Sequence, residues 1–129
     1  MRIHRVIIGL VALAIAVAMT LVVGTGAEAA DKPKHEVIAK GIEPTPNKFF
    51  VKGQVKPTYA NAPLVMEKKD CGSCDWHAWK KFSTHDDSHY KLRVYGPGKG
   101  SQKTCYRVKV PPTQKFALSR SQGLCIVKL

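Results

Sequence analysis

The sequence predicts an all-β chain, a β-sandwich of six to seven short strands occupying residues 47–129. Three observations predict it. After Asn47, apolar residues recur at every second position in short runs, which is the period of a half-buried strand. Breakers separate these runs: Pro57, the Gly96–Ser101 stretch and Pro111-Pro112. No run keeps a helical period for more than two turns. Short alternating strands at such spacing are the pattern of a sandwich.

The chain begins with a different kind of sequence. Arg2 and Arg5 precede a charge-free apolar run from Val6 to Val23, and Ala27-Glu28-Ala29 follows with small residues in the first and third places. Residues 1–29 read as a secretory signal peptide. The apolar run also reaches the roughly 18 residues of a spanning helix, so a retained membrane anchor is the alternative. Gly24, Gly26 and the small-x-small site favour cleavage, after which no transmembrane span is expected. Residues 30–46 are polar and rich in proline, with Asp31-Lys32-Pro33-Lys34 and Glu43-Pro44-Thr45-Pro46. They read as an extended linker.

The strands then follow in order. Phe49, Val51, Gly53 and Val55 share one face of the first, and Phe50, Lys52, Gln54 and Lys56 the other. Leu64 and Met66 point inward from the second. Cys71-Gly72-Ser73-Cys74 makes a turn into the third, Trp76 to Phe82, in which Trp76, Ala78 and Phe82 share a parity that Lys80 breaks. Ser83–Ser88 is a polar turn. Tyr90, Leu92 and Val94 face in and Lys91 and Arg93 face out. Tyr106, Val108 and Val110 face in, with Cys105, Arg107 and Lys109 on the other side. Phe116–Ser119 and Leu124–Val127 are the last two runs.

The formal net charge is +12. Residues 1–29 hold two arginines and one glutamate, so the remainder keeps a charge of +11. A domain of about 100 residues buries only about two-thirds of its unfolded surface, and covalent staples help it. All four cysteines, Cys71, Cys74, Cys105 and Cys125, lie in this part, and an exported chain can oxidise them. Two disulfides are expected, and three pairings are possible. A Cys71–Cys74 bond needs only a flexible turn, and a Cys105–Cys125 bond would tie two late strands. A redox-active pair would need a helix N-terminus to stabilise the thiolate, where a strand pattern with Asp75 stands instead. Zinc would need four reduced thiolates at knuckle spacing. A Cys-Gly-Ser-Cys-Trp nucleophile motif is interrupted by Asp75, and His77 does not directly follow Cys74 as haem attachment requires. His85, His89, Asp86 and Asp87 read as a solvated turn rather than a metal site. Trp76 is expected to pack on the disulfide and Trp79 to stand outside. No cofactor, metal or catalytic residue is expected.

Basic residues line the outward side of nearly every strand. Nucleic acid is not the expected partner, because no clustered groove with interleaved aromatics is apparent. A positive field of this kind instead suits anionic cell-envelope polymers or lipid headgroups. Trp79, Lys91, Arg93, Arg107 and Lys109 are the candidate ligand contacts. The alternative is an exported CxxC redox or metal-binding protein.

Gly53-Gln54-Val55, Ala62-Pro63-Leu64-Val65-Met66, and Thr84-His85-Asp86 before Tyr90-Lys91-Leu92 resemble immunoglobulin-like β-sandwich domains of the transthyretin or carboxypeptidase-regulatory type. The family's glycine after the aspartate is missing, and Ser88 stands near its place. Lys68 to Trp76, and Tyr106 to Pro111, are similar to motifs of secreted actinobacterial domains of this kind. The resemblance covers residues 48–120. It implies a secreted or cell-envelope location and roles in adhesion, surface display or accessory binding, with no catalytic residue to carry over.

Overall fold

A computed structural model describes residues 31–129. The signal peptide expected at 1–29 lies outside the described residues. Eight strands run β1 (Glu36–Thr45), β2 (Lys48–Lys56), β3 (Pro63–Lys69), β4 (His77–Ser83), β5 (His89–Val94), β6 (Lys103–Val110), β7 (Ser119–Arg120) and β8 (Leu124–Val127). They form two antiparallel sheets, one ordered β1-β2-β5 and the other β4-β3-β6, with β7 and β8 sharing the far edge of β6. The described residues are therefore all-β, a sandwich, and no helix among them is long and apolar enough to cross a membrane.

The inward sides meet in one core. Val51, Val55, Tyr90 and Val94 come from the smaller sheet, and Leu64, Met66, Tyr106, Val108 and Val110 from the larger, all nearly inaccessible to water. These are the positions the alternation assigns to the inside.

The linker reading of residues 30–46 is corrected. Glu36–Thr45 is the first strand, paired along its length with β2 from Glu36↔Lys56 to Ile42↔Phe50. Val37 and Ala39 are buried. The period of two is hidden because Ile38 and Ile42 are apolar on the outward side. Pro44 does not break the strand, because β1 is an edge and its register has already shifted beyond Ile42. The hairpin turns at Asn47, whose φ of 64° lies in the left-handed region that Asn tolerates. Its N–H donates to Glu43 Oε2 at 2.9 Å.

A bulge corrects the tryptophans. Met66 pairs with Lys80 but Glu67 pairs with Ala78, leaving Trp79 as the extra residue of β4. The bulge lets Trp79 turn toward the core, where it packs beside Tyr106 at 5.4 Å between ring centroids and Tyr95 at 6.3 Å. Trp76 lies just before β4 on the outside. The broken parity at Lys80 was the sequence's trace of this bulge.

Ser88, near the place of the missing glycine, has φ 68°. Its hydroxyl accepts the Tyr59 N–H at 2.8 Å, which ties the β4–β5 turn to the β2–β3 connection. All four cysteines are paired, as Cys71–Cys74 and Cys105–Cys125. The second bond joins residues directly opposite one another on β6 and β8.

Candidate functional site

The outward face of the smaller sheet is built by register. β2 pairs with β1 on one side and β5 on the other, so Lys40, Lys52 and Lys91 stand in a single row across all three strands. The next row is Ile42, Phe50 and Arg93, and the row on the other side is Ile38, Gln54 and His89. Strands lie about 4.8 Å apart, so the three ammonium groups rise from neighbouring backbones. Like charges directly opposite across strands are destabilising. Among the described residues, no carboxylate forms an ion pair with Lys40, Lys52, Lys91 or Arg93.

Aromatic rings support the cations instead. Lys91 Nζ lies 4.6 Å from the centroid of Phe50. The Arg93 guanidinium lies between Phe50 at 5.8 Å and Tyr95 at 5.1 Å, and its Nε is buried with no hydrogen-bond partner. Tyr95 is 51% exposed. A ring face favours a cation without neutralising it, so the positive field stays available. A shallow depression of about 430 Å³ crosses the lysine row, bordered by Ile38, Lys40, Lys52, Gln54 and Lys91.

The opposite face differs. Glu67, on the outward side of β3, is 7% exposed. Its Oε1 accepts Arg107 Nε at 2.6 Å and Arg120 Nε at 3.0 Å. The Arg107 guanidinium is 4.3 Å from the Trp76 ring, with Lys69 Nζ at 5.6 Å from the same ring. Glu67 thus holds two of this face's cations, while Lys81 and Lys109 form no ion pair among the described residues.

Burial pushes the Glu67 carboxyl up, but hydrogen bonds and charge from Arg107 and Arg120 outweigh it and hold it below the ordinary value of 4.5. A depressed folded value gives stability that is complete above the unfolded value and lost as pH falls through the folded one. Stability should therefore drop below about pH 4.5. Glu67→Gln should cost about 2 kcal/mol at neutral pH, the scale of hydrogen bonds to charged groups. It should also flatten the acid limb. Denaturant midpoints from pH 7 to 3 check this, and an unchanged acid limb in the variant contradicts it.

The residues singled out from sequence are thus divided. Lys91 and Arg93 share the open cationic face. Arg107 is held by Glu67 and Trp76 on the other sheet, and Lys109 lies there too, in the row of Val65 and Lys81. Trp79, expected outside, packs at the core edge. Sequence reasoning missed Lys40 and Lys52 as partners of Lys91. Lys52 and Phe50 had been placed on one outward side, but Lys40 fell in the supposed linker.

Cys71 and Cys74 close the turn after β3, where the Cys74 N–H donates to the Cys71 carbonyl at 3.2 Å. A strand follows, and among the described residues no helix N-terminus faces either sulfur. Among the described residues, no three His, Cys, Asp or Glu side chains converge as metal ligands. No protein-family model matches the chain, and no curated protein matches it in sequence.

Proposed function

We propose that this is an exported, non-enzymatic binding domain that docks the outward face of its three-stranded sheet on anionic cell-envelope polymers or anionic lipid headgroups. The observation that carries the reading is the row Lys40–Lys52–Lys91. Three like charges aligned across a sheet without a carboxylate cost stability in the free protein. An anion laid along the row offsets that cost. The flatness of a sheet suits an extended polyanion or a charged surface better than a small enclosed ligand. Phe50 and Tyr95 add apolar contact beside the charge.

Export is supported by the leader pattern at residues 1–29 and by two disulfides, which persist in oxidising compartments. The resemblance to secreted sandwich domains implies roles of the same kind.

Residues 30–129 contain the whole sandwich and both disulfides, and Lys32–Leu129 forms a compact unit by itself. Sedimentation of this domain with vesicles tests the reading. It should bind vesicles containing phosphatidylglycerol at low salt and not vesicles of phosphatidylcholine. Binding should vanish near 1 M salt, where the screening length is about 3 Å. Retention that ignores salt, or that is equal on both vesicles, overturns it.

A further inference from the structure

We infer that the anion this domain meets is a bilayer surface, into which the three-stranded sheet sinks Ile38 and Ile42 of its edge strand on either side of the lysine row. The inference rests on the cationic-face docking proposed above and names its partner. β1 is an edge of that sheet, and its outward side reads Glu36, Ile38, Lys40, Ile42. An outward position facing water ordinarily carries a polar residue. Here two β-branched aliphatic residues flank the lysine. Ile38 is 38% exposed, and it borders the same depression as Lys40, Lys52 and Lys91. Across the lysine row stand Ile42, Phe50 and Arg93, with the open ring of Tyr95 beside Arg93. The carboxylates at the margin, Glu36 and Asp87, stand against Lys56 and His89, outside the lysine row.

The mixture of side chains on one face points to lipid. A lysine row without a carboxylate is complementary in charge to a leaflet of anionic headgroups. A hydrated polyanion would engage the same cations, but isoleucine offers it neither a hydrogen bond nor a flat ring to stack on. A bilayer engages both kinds of group. Amphipathic elements that lie in an interface bury their apolar side about 5–10 Å deep, at the boundary of headgroups and acyl chains. Lysine and arginine stems are long enough to keep their charges at the phosphates while the shorter isoleucines pass below them. Phe50 and Tyr95, which carry Lys91 and Arg93 on their rings at 4.6 and 5.1 Å, suit the same boundary.

Sedimentation of residues 30–129 with phosphatidylglycerol vesicles, beside titration calorimetry with inorganic polyphosphate, tests this. Ile38→Ser with Ile42→Ser should weaken vesicle binding by about tenfold, the worth of sinking the exposed parts of two isoleucines. It should weaken polyphosphate binding by clearly less. Ile38→Trp keeps the position apolar and gives a second reading. Its fluorescence should be quenched by phosphatidylglycerol vesicles brominated in the upper acyl chain, beyond any quenching of the unsubstituted domain, whose Trp76 and Trp79 belong to the side of the other sheet. Equal effects of the serine pair on vesicles and polyphosphate, or no added quenching in Ile38→Trp, overturns the inference. Binding of the unsubstituted domain to vesicles and not to polyphosphate upholds it. Binding to polyphosphate and not to vesicles overturns it and leaves the cationic-face reading standing with a polymer as partner. Failure to bind either probe defeats that reading together with this one.

Discussion

Replacing Cys105 and Cys125 together by alanine is expected to lower stability by about 3 kcal/mol, against about 1.6 kcal/mol for replacing Cys71 and Cys74, by the loop entropy of the unfolded chain. The separations are 20 and 3 residues. For a domain of about 100 residues, 3 kcal/mol is roughly a 15 °C fall in melting temperature. The structure adds a folded-state reason for the same order. β8 is held to the sheet by β6 alone, over four paired positions, and the Cys105–Cys125 bond falls within that ladder. Without it, β8 can fray and uncover Leu124 and Ile126, which pack on the core. Cys105 is 3% exposed, so its loss also touches packing. The Cys71–Cys74 bond closes a turn already held by a backbone hydrogen bond. Thermal scans of the two double variants decide the point, and equal midpoints would contradict it.

Gly53→Ala is expected to be the most damaging small substitution, costing about 3 kcal/mol, the upper range of overpacking in a filled interior. A Cβ at Gly53 would overlap the Ile38 carbonyl and come within 2.7 Å of the Tyr90 hydroxyl. Neither neighbour can step aside. Ile38 belongs to the β1–β2 ladder, and Tyr90 is 2% exposed with its hydroxyl donating to the Ile38 carbonyl at 2.6 Å. Tyr90 thus lies across the glycine and occupies the space its missing side chain leaves. Gly41→Ala, on the neighbouring strand, is the control. It meets nothing and should stabilise by about 0.5 kcal/mol through lower unfolded-chain entropy. Denaturant midpoints for the two alanine variants that fell together would show that crowding at Gly53 does not govern the hairpin.

The sequence announced the strands whose alternation was clean. β2, β3, β5 and β6 lie where their apolar residues place them, and their inward sets form the core. Two kinds of information were hidden. Where the outward side is also apolar, as with Ile38 and Ile42, period two disappears, and β1 read as a tether. Where a bulge inserts a residue, parity reverses, and Trp76 and Trp79 exchanged roles. The site was half readable for a third reason. Alternation says that Lys91, Arg93, Arg107 and Lys109 all leave the core, but not which sheet carries them. Lys91 joins Lys52 and Lys40 because β5 pairs with β2 across intervening strands, while β6 pairs with β3. Long-range pairing, invisible in any local pattern, put Glu67 between two arginines on one face and left the lysine row of the other without a carboxylate.

Charge reversal on each face tests the central claim most directly. In residues 30–129, Lys52→Glu with Lys91→Glu changes the open face by four charges. At about 1 kcal/mol per charge near an anionic surface, affinity for phosphatidylglycerol vesicles should fall on the order of a thousandfold. Folding should hold, since the reversal at Lys52 sets an opposite charge across from Lys40 and the like-charge pair between β2 and β5 only changes sign. Lys81→Glu with Lys109→Glu makes the same change of net charge on the other sheet and should weaken binding by less than about tenfold, through the general field alone. Equal losses in the two variants would mean that net charge, and not the aligned lysine row, is what meets the anion.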